Sequence, residues 1–116
     1  MNLKLPTSVK IDNITYTIKL VPDLVADDDP KESLLGCVSY SDAVIKISKQ
    51  SKDSAVNSLG HEISHAIFFE RNIDDLIKDK DLETVVDCVA KAFVQIIRDN
   101  PELIDFIRNE KGNKKK

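Results

Sequence analysis

The stretch Ala43-Val-Ile-Lys-Ile-Ser-Lys-Gln-Ser-Lys-Asp-Ser-Ala-Val-Asn-Ser-Leu-Gly-His-Glu-Ile-Ser-His65 holds the point at which the chain changes its hydrophobic period. Ala43, Ile45 and Ile47 fall on every second position, the spacing that puts side chains on one face of a strand. Further on, the apolar residues fall at Val56, Leu59, Ile63, Ala66 and Ile67, which is the stripe of a helix. Ser51 or Asp53 can cap that helix, and Asn72 provides a stop after about Arg71. Strand-like sequence lies before this boundary and helix-like sequence after it. That segregation predicts an α+β domain, with a small, mostly antiparallel sheet of two hairpins packed on helices.

Towards the N-terminus, Val9 and Ile11 share a face, Asp12-Asn13 makes a two-residue turn, and Ile14, Tyr16, Ile18 and Leu20 continue the alternation. Such a turn sets Ile11 opposite Ile14 and Val9 opposite Tyr16. A second hairpin is predicted over Gly36 to Ser48, with Val38 and Tyr40 before a Ser41-Asp42 turn and Ala43, Ile45 and Ile47 after it. Between the hairpins, from Pro22 to Pro30, alternation stops. Asp23, Asp27, Asp28 and Asp29 gather there beside Glu32, which reads as a solvated acidic loop without the spacing of a Ca²⁺-binding loop. Towards the C-terminus a second helix is predicted over Asp81 to Asp99, with Val85, Val86, Val89, Phe93, Ile96 and Ile97 inward. Asn100-Pro101 breaks it and opens a third helix, Glu102 to Asn109, with Asn100 as its cap.

At 116 residues the chain has room for one core. The expected organisation is a single domain over residues 1–110 and a disordered basic tail over 111–116. Four of the 17 cations stand in that tail, so the body carries 13 cations against 20 acids. An acidic body offers no footprint for nucleic acid, whose phosphates require clustered cations. No apolar run reaches the ~18 residues of a membrane span, and the first residues lack the apolar core of a signal peptide. These features point to a cytoplasmic protein. Cys37 and Cys88 are isolated, which predicts no disulfide.

The predicted first helix carries the chain's two histidines in His61-Glu62-Ile63-Ser64-His65. Side chains four apart on a helix lie one above the other, so both imidazoles can point at one ion. Glu62 is rotated to the flank, where it can reach a water at the metal without displacing a ligand. Two imidazoles require a third protein ligand for a tight zinc site. The downstream carboxylates are Glu70, Asp74, Asp75, Asp79, Asp81, Glu83 and Asp87. Glu83, Asp87, Ala90 and Val94 form one stripe at the edge of the second helix's apolar arc, so Glu83 is expected to look toward the core. An ionised carboxylate there calls for a partner or a metal. Asp87, one turn on, can accept the second N–H of a ligating histidine.

His61-Glu-Ile-Ser-His65, followed after 17 residues by Glu83-Thr-Val-Val-Asp87, resembles the HExxH plus ExxxD arrangement of the gluzincins, the zinc peptidases that include thermolysin. The resemblance implies a zincin-like domain, with His61, His65 and Glu83 as Zn²⁺ ligands, Glu62 as general base and Asp87 as a partner of a ligating histidine. It also implies a sheet along the helix whose edge strand holds an extended peptide, for which Ala43–Ser48 is the candidate. The whole chain, with its Leu5-Pro6 opening, two hairpins, HExxH helix and Asp99-Asn100-Pro101 ending of the second helix, is similar to small metallopeptidase-like proteins of phages and prophages, which implies the cytoplasm of a phage's bacterial host. The implied function is hydrolysis of peptide or protein substrates through a zinc-bound water. The alternative is a non-catalytic zinc-containing binding module of the same fold, such as a phage protein that captures a host factor. The larger gluzincins use additional His or Tyr side chains at the intermediate. This chain has no third histidine and only Tyr16 and Tyr40, with Tyr40 read as core-facing rather than as an oxyanion donor.

Overall fold

Asp12 adopts a positive φ of 55°, a conformation that Asp tolerates better than most residues. The tight turn it makes joins β1 (Ser8–Ile11) to β2 (Ile14–Leu20), and Ile11 stands opposite Ile14 and Val9 opposite Tyr16, as expected. The computed structural model that shows this describes residues 3–109, so the basic tail at 111–116 lies outside the described residues. Ala43, also at φ 55°, ends the turn between β5 (Gly36–Ser39) and β6 (Val44–Ile47). Their register, Val38 opposite Ile45, is the one the sequence predicts.

Two features of the sheets correct the sequence reading. The acidic segment is not simply a loop, because β3 (Val25–Ala26) and β4 (Asp29–Ser33) pair antiparallel as a separate two-stranded sheet. All five β4 residues are exposed, so no buried face writes an alternation into the sequence. The main sheet runs β1-β2-β6-β5, with β2 and β6 parallel and the other two pairings antiparallel. Ala43–Ser48 is therefore not the edge. Val44–Ile47 is interior, with Ile45 and Ile47 fully buried, and Gly36–Ser39 is the edge strand. Hairpin alternation fixes which residues face the core but not which of the two strands turns outward.

α1 (Lys52–Glu70) begins at Ser51, whose Oγ accepts from the Ser54 amide at 3.2 Å. It lies on the sheet, and Ile11, Tyr16, Ile18, Ile45 and Ile47 close the core with its Ala55 and Ala66. α2 (Asp79–Asp99) packs against α1 from another side. Covered twice, α1 buries Ala55, Gly60, Glu62, Ser64, Ala66 and Phe68, while Val56, Leu59, Ile63 and Ile67 of the predicted stripe are half-buried. The Arg71 guanidinium closes the helix end onto the first turn with bonds of 3.1 and 2.7 Å to Asp12, and holds that exposed carboxyl below its usual range.

A short 3₁₀ turn, Asp74–Leu76, leads into α2, which starts two residues earlier than predicted. Val86 and Ala90 are buried against α1, but Val89, Ile96 and Ile97 are exposed, contrary to the predicted inward set. The second half of α2 has only part of its apolar arc covered. α3 (Pro101–Arg108) packs on its end. Asn100 stands at the N-cap of α3 as expected, but its side chain makes no capping bond there; its amide donates to the Ile96 carbonyl and so closes α2. Among the described residues no helix is long and apolar enough to cross a membrane, and both cysteines are free.

Gly60 sets the approach of the two long helices. A Cβ there would lie 2.7 Å from Val94 Cγ2, and a helical valine has little rotamer freedom to yield. Gly60→Ala is therefore expected to destabilise the fold by about 1–2 kcal/mol, although alanine is the better helix former by about 1 kcal/mol. A higher denaturation midpoint for the variant would show that α2 shifts freely on α1.

Candidate metal centre

One helical turn stacks His61 over His65, with ring centroids 4.8 Å apart and planes at 72°. Both present Nε2 to the same side chain. Glu83, in the second turn of α2, places Oε1 3.0 Å from His61 Nε2 and Oε2 2.9 Å from His65 Nε2. The α1–α2 contact at Gly60 and Val94 fixes the phase of α2, and the stripe of Ala90 and Val94 carries Glu83 round to the histidines. The stripe points as the sequence indicates, but Glu83 is not in the core. Its side chain is 70% exposed, because the first turns of α2 stand at an open rim of the domain. His65 is the deeper imidazole at 12%, and His61 is 24% exposed.

These three side chains form a group able to hold a metal ion, with donor atoms all within 4.8 Å of one another. Donors at 2.0–2.1 Å around a tetrahedral ion stand roughly 3.3–3.5 Å apart, so small movements would accommodate one. Two neutral nitrogen donors and one carboxylate suit a borderline-soft divalent ion such as zinc. Burial pulls the His65 pKa down and Glu83 opposes that pull, which favours the neutral, ligand-competent imidazole.

Asp87 Oδ1 lies 3.6 Å from His61 Nδ1, beyond direct hydrogen-bond range, and Oδ2 pairs with Lys91 Nζ at 3.0 Å. Lys91 chiefly, with His61 adding, holds the Asp87 carboxyl below its usual range. Asp87 thus lies beside His61 without bonding to it, and its direct partner is Lys91. Glu62 lies on the flank of the histidines, 8% exposed beneath β5. A Cβ at Gly36 would stand 3.2 Å from Glu62 Cγ and 3.3 Å from Oε2, so the edge strand passes close over this acid and a larger residue there would press on its side chain. Burial pushes the Glu62 pKa up to about 7, with His61 opposing and Glu83 reinforcing.

Tyr16 is buried as its alternation predicts, whereas Tyr40, expected to face the core, is only half-buried. Tyr16 is the fully buried one and donates to Glu70 Oε2 at 2.7 Å, which engages Glu70 away from the histidines. Tyr40 is half-buried and stacked on Phe69 at 4.1 Å, and its hydroxyl is pushed up to about 12 by burial and by Asp74, Glu62 and Glu83. It therefore borders the acidic group. Asp74, one of several acids considered as a ligand, adds negative charge near His65 and has a buried Oδ1 with no hydrogen-bond partner. Asp75, Asp79 and Asp81 stay outside the group. The sequence reading missed Gly36 and Gln50. Only the position of Gln50, just before the Ser51 cap, hints at a role. No protein-family model, curated protein or solved structure matches the chain.

Proposed function

We propose that the protein is a zinc-dependent peptidase with a zincin-like domain of the gluzincin kind. The observation that carries this reading is the convergence of two imidazole Nε2 atoms on Glu83 beside a buried Glu62. His61, His65 and Glu83 would hold the ion, with Asp87 orienting His61. Zinc bound there supplies a Lewis acid that polarises the scissile carbonyl and acidifies a water.

The chain's own residues do the rest. The exposed edge of β5 offers main-chain groups on which an extended peptide can lie as an added strand. Glu62, with a pKa near the working range, takes a proton from the attacking water as its oxygen bonds to the carbonyl carbon. It returns that proton to the amine as the C–N bond breaks. Tyr40 keeps its proton at neutral pH and can donate to an oxygen gaining charge. A second reading, a zinc-containing binding module, is favoured by the absence of any histidine besides His61 and His65.

Elemental mass spectrometry on untagged protein purified without added metal is expected to give about one zinc per chain. Glu83→Ala is expected to weaken zinc by more than the ~10–100-fold that loss of an outer partner costs. A ratio near zero that added zinc does not raise would remove the peptidase reading. Unchanged affinity in Glu83→Ala would move the third ligand elsewhere.

A further inference from the structure

Next to the candidate centre, the segment before β5 faces the N-terminal half of α1 across an open pocket of about 570 Å³, which His61 and Glu62 close at one end. Gln50, behind the pocket, determines its polarity. Its side-chain nitrogen donates to the carbonyls of Leu35 and Ser48, each at 2.9 Å. Two carbonyl partners leave no choice of amide orientation, so Oε1 is an acceptor. It receives the hydroxyl protons of Ser54 and Ser58, the latter at 3.0 Å. Each serine has one proton and has given it to Gln50, so toward the pocket both present lone pairs.

Asp87 adds a carboxylate to this wall, with Oδ2 paired to Lys91 Nζ at 3.0 Å and Oδ1 without a direct bond, and no Lys or Arg is among the residues that line the pocket. Of the neutral side chains there, the Asn57 amide has N–H groups to spare. The opposing field, the positive N-terminal end of α1, is offset by the Ser51 cap and by Asp53 in the first turn. A side chain rich in donors and positively charged therefore matches the wall, whereas a carboxylate meets acceptors and like charge.

We propose that this pocket is a specificity subsite for a lysine or arginine side chain of the substrate, next to the bond to be cleaved. The proposal rests on reading the site as a peptide-cleaving centre, and it assigns Gln50, Ser54, Asn57 and Ser58 to substrate selection.

The test uses the zinc-loaded full chain and fluorescent peptides Ala-Ala-X-Ala-Ala with X as Lys, Arg, Leu or Glu. Binding is measured on the Glu62→Gln variant and cleavage on the unaltered protein. Lys and Arg peptides are expected to bind at least about tenfold tighter than Leu or Glu peptides. Asn57→Lys, at an exposed position that puts little strain on folding, is expected to abolish or reverse that order. Equal or tighter binding of the Leu or Glu peptides, a Lys preference unchanged by Asn57→Lys, or no binding of any peptide would overturn the subsite. Cleavage without a basic preference would overturn the subsite and leave the peptidase reading intact. Basic-selective binding by a chain that never cleaves with Glu62 present would remove the peptidase reading and leave the subsite.

Discussion

Glu62→Gln is expected to lower peptide cleavage by ~10²–10⁴-fold, the range that loss of a positioned general base costs, while zinc content stays unchanged. Glutamine keeps the bulk that Gly36 accommodates and leaves His61, His65 and Glu83 untouched, but it cannot carry a proton between water and amine. His65→Ala removes a nitrogen donor and is expected to lose both zinc and cleavage. The comparison is made on a metal-replete protein, with zinc measured on the same sample as the rate. Undiminished cleavage by zinc-loaded Glu62→Gln would sink the mechanism.

The same substitution is expected to act in the opposite direction on stability once the metal is removed. Glu62 is buried, and burial raises its pKa from 4.5 to about 7. The folded chain therefore holds this proton more tightly than the unfolded one. Its contribution to stability is full below about pH 4.5 and is lost as pH rises through about 7. Above that, ionised Glu62 costs roughly 3 kcal/mol relative to the protonated form, from 1.36 kcal/mol per pKa unit. Chelated Glu62→Gln should thus be more stable than chelated wild type at pH 8 by an amount of that order, and similar to it near pH 4.5. His65, whose pKa burial lowers, titrates nearby with the opposite sign, so the quantity to read is the difference between the two proteins. Urea midpoints give it directly. A difference that stays constant from pH 4.5 to pH 8 would refute the burial cost. A gain at high pH is the behaviour of a group kept for chemistry at the expense of the fold.

Much of this arrangement is legible in the sequence, for reasons that differ by element. Both hairpin registers follow from apolar alternation around short turns, because a one-residue slip would turn Tyr16 or Ile45 out of the core. The histidine pair is legible because helical phase alone brings His61 and His65 together. Glu83 is found by the same phase, but its exposure is not, since phase gives a direction and not a depth. The parallel β2–β6 pairing leaves no local mark, because Thr17 and Val44 meet through the fold and not through a turn. β4 escapes notice because backbone pairing without a buried face has no hydrophobic pattern. The exposed Val89, Ile96 and Ile97 show the reverse limit, an amphipathic stripe that the rest of the described chain covers in part. Gln50 is invisible for another reason. Its role depends on two carbonyls and two serines that converge only when the β5 segment, the end of β6 and the start of α1 are assembled.

That parallel pairing also bears on the order in which the molecule comes together. Each hairpin closes a short loop, whereas β2 can meet β6 only after the intervening segment has been brought round, at a larger entropic cost. The two halves of the sheet are thus expected to form early as separate units, with their union as the slow event. Glu62 beneath β5, and Gln50 between the β5 segment and α1, reach their working positions on the far side of that barrier. A chain stalled short of it would carry its hairpins and α1 but no cleft, so the chemistry proposed for that cleft would be withheld until the last long-range contact is made.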